Sequence, residues 1–248
     1  MPSAEEVEQL RRANAEISRR VRIELDDFLA TVSYSRPEAV RDALLQIVPA
    51  LIEEYGAVAA TVSAEWFERT YGLAPMAVAP TYPRIAAERA VRHSAAHLFT
   101  PTPEQIGASL AVKLDVGVKQ FGRDTIARSS ERHRMMWVRV PKGPKTCAFC
   151  LLLASRGTFD SAYKSRDAAL FRADGEKYHG DCDCAAIAVR GPDDYPAGFD
   201  PEEAYELYDR AATNVFGDGA RQDIHAVVHE MRRLEPNRFT DGVVDPDR

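Results

Sequence analysis

The sequence is short of cysteine, and the little it has is confined. Its four cysteines, in 248 residues, all lie between positions 147 and 184. A disulfide scaffold spread through the fold is therefore excluded. Excess basic charge is also lacking. Lys and Arg number 32 against 38 Asp and Glu, a formal net charge of −6, which argues against a general nucleic-acid coat with its basic footprint. No apolar run approaches bilayer-spanning length, and Met1-Pro2-Ser3-Ala4-Glu5-Glu6 opens a polar, acidic segment rather than a signal peptide. The expectation is a protein made and folded in a cytosol, with no membrane partner. H-E-x-x-H, G-x-S-x-G, Walker A and dinucleotide fingerprints are missing, and with them the enzyme classes they mark. There is no internal repeat and no low-complexity tract.

What is present reads first as helix. Hydrophobic residues make up 45% and charged residues 28%, enough apolar material for a sizeable core. Leu10, Ile17, Val21, Leu25, Phe28, Leu29 and Val32 recur mostly at three- and four-residue intervals, which predicts a helix over 4–32. A second helix is expected over 37–71, with Ser35 as its N-cap, Pro37 in its first turn and Pro49 kinking or splitting it. Its face would carry Val40, Leu44, Ile47, Leu51, Tyr55, Val58, Val62 and Trp66. The two would pack as an antiparallel hairpin. Three prolines between Gly72 and Pro83 mark a linker. Further helices follow over 84–98 and 103–131.

Past residue 132 the composition changes. Trp137-Val138-Arg139-Val140 and the run 185–190 are β-prone, and they flank the cysteines on either side. They are expected to pair antiparallel, with a short helical stretch from Cys150 to Ala154 stopped at Gly157. Helices over 201–215 and 219–234 would be capped by Asp200 and Asp218. The predicted class is α+β, mostly α. It comprises an α-helical domain over 1–132 with a long helical hairpin, a Cys/His knuckle module over 133–191, C-terminal helices over 192–235 and a flexible tail over 236–248.

The cysteines fall as Cys147-Ala148-Phe149-Cys150 and Cys182-Asp183-Cys184, with His179 ahead of the second group. Thiolate and imidazole are the ligands zinc prefers, and structural sites close a tetrahedral shell of four. Cys147, Cys150, His179, Cys182 and Cys184 are five candidates for four places, and which one is left out stays open. Residues 155–181 hold few apolar side chains to offset their ordering entropy. A structural zinc contributes on the order of 10 kcal/mol to folding a small module. Disulfides and reactive thiols are the competing readings. In the latter, Cys147 or Cys150 would be a nucleophile with His179 and Asp181 or Asp183. Every cysteine belongs to the cluster, however, and His179-Gly180-Asp181 lacks the Glu of a zinc deaminase. No catalytic residue is assigned.

His93/His97 and His225/His229 stand four apart on predicted helices without an obvious third ligand, and read as surface or packing histidines. One basic stretch, Arg132, His133, Arg134, Arg139, Lys142 and Lys145, precedes the first cysteine pair. It reads as a solvated rim, or as a contact for an acidic partner or for DNA through Arg132, Arg134, Arg139, Lys142 and Lys145.

Arg123-Asp124-Thr125-Ile126-Ala127, Trp137-Val138-Arg139-Val140-Pro141, Thr146-Cys147-Ala148-Phe149-Cys150, Leu153-Ala154-Ser155-Arg156-Gly157 and Tyr178-His179-x-x-Cys182-x-Cys184 together resemble the MuF-like minor capsid (head morphogenesis) proteins of tailed phages of actinobacteria. The resemblance is specific over 123–190 and looser in the helical half. It implies a minor head protein near the portal, acting in capsid assembly or DNA packaging. Portal or major capsid protein would be its partner, and it would sit in host cytoplasm during assembly and in the virion head afterwards. Relatives often carry the label capsid maturation protease, and that activity is the alternative reading.

Overall fold

The computed structural model describes residues 2–76, 82–141, 145–157, 184–191, 193–217 and 223–240. Three long helices form its body: α1 (Ala4–Thr31), α2 (Pro37–Tyr71) and α4 (Gln105–Arg132), with α3 (Arg84–Ser94) laid across them. A two-stranded sheet follows, β1 (Met136–Val140) and β2 (Ala185–Val189). The short α5 (Ala148–Ala154) and the C-terminal pair α6 (Pro201–Phe216) and α7 (Ile224–Leu234) complete the described α-helices. The described residues are thus mostly helical with one small sheet.

Helix α1 begins on a reciprocal cap. The Glu6 amide donates to Ser3 Oγ (3.1 Å) and the Ser3 amide to the Glu6 carboxylate (2.7 Å), satisfying donors that a helix start otherwise leaves open. Its buried stripe is Val7, Leu10, Ile17, Val21, Leu25 and Leu29, the period read from the sequence. The hairpin is antiparallel: Trp66 Nε1, late in α2, donates to the Glu6 carbonyl at the start of α1 (2.9 Å).

Helix α2 departs from expectation in four ways. Arg36, not Ser35, is the N-cap, without a side-chain hydrogen bond; Ser35 Oγ instead pairs with Ser33 Oγ (2.8 Å). Pro49 neither splits nor ends the helix. It is buried among residues that pack on two sides, so tertiary contacts outweigh the one hydrogen bond it removes. The expected face also drifts: Val58 is exposed, whereas Val48, Ile52, Ala59 and Phe67 are buried, because α2 packs against α1 and α4 at once. Finally, α2 is long and apolar enough by composition to cross a membrane. In the fold many of its apolar residues, among them Leu44, Val48, Leu51 and Ile52, lie in the core.

The α2–α4 crossing is close because glycine permits it. A Cβ on Gly56 would meet the Phe121 ring at 2.6 Å, and one on Gly122 would meet Ser63 Oγ at 2.5 Å. The second half of α4 then changes partners, and Ile126 and Ala127 join the sheet. Val7, Leu10, Trp66, Phe67 and Tyr71 share that same core with Trp137, Val138, Ile187 and Val189. Residues on both sides of position 132 therefore belong to one packed unit.

The strands pair antiparallel, with Met136 opposite Val189 and Val140 opposite Ala185. Arg134, at φ 57°, makes the left-handed turn out of α4. At the C-terminal pair, Asp200 caps α6 as expected, through the Glu202 and Glu203 amides. Helix α7 starts at Ile224 on an Asp223 cap (to the His225 and Ala226 amides); Asp218, the expected cap, lies outside the described residues. Residues 236–240, expected to begin a flexible tail, are anchored through Phe239. Pro236–Arg238 form a 3-10 turn, and Phe239 is buried against α5, α6 and α7.

Candidate metal centre

Cys147 is reached from β1 and Cys184 leads into β2, so strand pairing brings Cys147 and Cys184 to one end of the sheet. Because Val140 pairs with Ala185, the chain leaving β1 emerges beside Cys184. Cys147 has extended backbone (φ −74°, ψ 146°) and serves as the N-cap of α5, its Sγ accepting from the Cys150 amide at 3.1 Å. Cys150 and Cys184 are both buried and pack in one cluster, with Cys147 and Val116 against it.

Three of the five candidate ligands, Cys147, Cys150 and Cys184, are therefore neighbours across the intervening chain. His179 and Cys182 lie outside the described residues. Among the described residues no group of three or more His, Cys, Asp or Glu side chains is disposed to hold a metal ion. The donors that are described nonetheless suit a soft divalent ion. Cys150 and Cys184 are buried and Cys147 is half-buried, its Sγ accepting an amide hydrogen bond, and sulfur is a donor type that such ions take.

Two arginines brace this end of the sheet, and neither was singled out by spacing. Arg11 Nη2, from α1, donates to the carbonyls of Val140 (2.9 Å) and Pro141 (2.7 Å). Arg123 Nη2, from α4, donates to the Cys184 carbonyl (3.3 Å). One guanidinium thus holds the end of β1 and the other the start of β2. Between them, with Asn14 and Lys119, lies a cleft of about 90 Å³ that reaches Cys184. The available signal was a charged pair, Arg123-Asp124, interrupting the apolar period of α4. Both residues are buried, and Gln120 Nε2 donates to Asp124 Oδ1 (2.7 Å).

The basic stretch is divided by the fold. Arg132, Arg134 and Lys145 are exposed, and Lys142 lies outside the described residues. Arg139 is 1% exposed, its guanidinium over the Trp137 ring at 6.0 Å. A strand buried on both faces has no solvent side, so Arg139 is corrected from a DNA contact to a core residue. His133 turns inward as well: Nε2 lies 2.8 Å from the Ala74 carbonyl and its ring stacks on Phe67. His93, His225 and His229 are exposed and His97 half-buried, as expected of surface histidines.

Residues 1–211 match the family described as VG15 protein. The chain belongs to the VG15 protein family. That family comes from phage virion genes, and the chain is a bacteriophage, virion-associated protein. The VG15 match takes in α1 to α5, both strands and every candidate ligand. Comparison with curated proteins and with solved structures gave no match.

Proposed function

We propose that this VG15-family protein is a minor head protein that acts in capsid assembly or DNA packaging near the portal. In this reading Cys147, Cys150 and Cys184, completed from His179 and Cys182, hold one structural zinc. The observation that carries it is the convergence of Cys150 and Cys184, with Cys147 beside them, at the end of the β1–β2 ladder. A bound zinc would supply a closed thiolate-rich crosslink there. The residues' own contribution is to aim the sulfurs: Cys147 through its capping geometry, Cys184 through the Arg123 hold on its carbonyl.

A centre of this kind stiffens a surface for docking rather than performing chemistry on a substrate. The helical body and the sheet share one core, so a partner bound to the helices would feel the state of the cysteine end. The resemblance over 123–190 supports portal or major capsid protein as that partner.

Two measurements test this. Elemental analysis of the purified chain is expected to give about one zinc per chain, as a closed four-ligand shell requires, and Cys147→Ser with Cys150→Ser is expected to lose it. Mass spectrometry of purified phage particles is expected to find the chain intact. A metal-free chain sinks the zinc reading, and a chain missing from particles sinks the head-protein reading.

A further inference from the structure

The first cysteine pair is fastened from the far end of the chain. Thr146, immediately before Cys147, forms a parallel bridge with Phe239. The Thr146 amide donates to the Arg238 carbonyl (3.3 Å), and the Thr146 carbonyl accepts from the Thr240 amide (3.0 Å). Both backbone groups of the residue that leads into the knuckle are thus taken by residues 238–240. Phe239 adds a side-chain anchor. It is 6% exposed and lies in the cluster with Leu151, Leu152 and Leu153 of α5, the helix that carries Cys150. The clasp is itself tied down. Arg238 pairs with Glu203 of α6 (2.9 Å) and Glu235 (3.2 Å), and Glu235 pairs with Arg210 (2.6 Å).

We propose that residues 238–240 are a positioning clasp for the Cys147–Cys150 half of the cysteine centre. Fixing both hydrogen-bonding groups of Thr146 orients the peptide planes on either side of it, and with them the direction in which the chain presents Cys147 Sγ. Cys184 is held by other means, β2 and Arg123. Losing the clasp therefore loosens one half of the centre and spares the other. Where the centre holds metal, as the preceding reading has it, this asymmetry makes the Cys147–Cys150 half the one whose release frees the ion. Residues past the family match then govern the lability of a site within it.

The test uses the full chain and two variants. Thr240→Pro removes the amide that Thr146 accepts from, and Phe239→Ala removes the anchor. Each protein is stripped of metal, its helical circular dichroism recorded, and alkylation of each cysteine timed by peptide mass spectrometry. Losing one backbone hydrogen bond is expected to speed labelling of Cys147 and Cys150 roughly tenfold, with the Cys184 rate and the helical signal unchanged. Equal acceleration at all cysteines would mean general loosening and would overturn the clasp, as would unchanged rates in both variants. A parallel measurement follows zinc transfer from the loaded chain to a chelator, expected to quicken by a similar factor. If the unmodified chain binds no zinc, the metal reading fails, and the alkylation pattern still decides the clasp.

Discussion

The Tyr71 hydroxyl donates to the Ala188 carbonyl across 2.8 Å, joining the last turn of α2 to the middle of β2. Arg190 reinforces the same joint, with Nη2 3.3 Å from the Tyr71 carbonyl and its guanidinium over the tyrosine ring. The helical body and the sheet are thus linked by a specific polar contact as well as by apolar packing. Removing it leaves a buried carbonyl without its donor. Tyr71→Phe is expected to cost about 1–3 kcal/mol, read as a lower denaturation midpoint with unchanged slope.

The same residue gives a pH dependence. Burial pushes the Tyr71 hydroxyl well above the usual phenol range, with Asp194 adding to the shift. A raised pKa in the fold contributes stability that is complete below the unfolded value of about 10 and declines as pH rises past it. The unmodified chain is therefore expected to lose stability above pH ~10 more steeply than Tyr71→Phe. Parallel slopes in denaturant titrations across that range would refute the assignment.

Gly56→Ala sets a methyl group against the Phe121 ring, at 2.6 Å from its nearest atom. Overpacking of this kind costs about 1–3 kcal/mol. Adding Phe121→Leu is expected to recover part of the loss, giving a non-zero coupling in a double-mutant cycle. Additive losses would show that the crossing yields elsewhere.

Arg123→Gln keeps a donor in α4 but removes the charge from the hydrogen bond to Cys184. A charge-assisted bond of this type is worth about 1.5–3 kcal/mol. Alkylation of Cys184 is expected to accelerate while that of Cys147 holds, the mirror image of the effect predicted for the clasp variants.

Asp223→Ala tests the observed start of α7. Its carboxylate takes the His225 and Ala226 amides at 2.9 and 3.1 Å, and losing such a cap costs about 1 kcal/mol. Helical circular dichroism during thermal unfolding is the measurement.

Local pattern made much of this fold legible. Leu10, Ile17, Val21 and Leu25 declared α1 because a single buried face repeats with the helical period, and the two β-prone runs around the cysteines declared their own pairing. Where one helix met two partners the pattern blurred. Val58 reads as core and is exposed, since α2 divides its apolar residues between α1 and α4. Pro49 reads as a break and is none, because packing on both sides supplies what the lost hydrogen bond would have. Arg139 reads as a surface cation; its burial follows from a sheet covered on both faces, which no spacing records.

The cysteine grouping is legible in the order of residues, since sulfur and imidazole at short intervals are the donor types that zinc prefers. Which side chains actually become neighbours was decided by tertiary structure. The Val140–Ala185 register brings Cys184 to Cys150, Arg11 and Arg123 secure the carbonyls at that end, and Phe239 reaches Thr146 from almost a hundred residues away. Contacts of that kind depend on where two distant segments meet in the packed core, and the separation along the chain leaves no periodic trace of them.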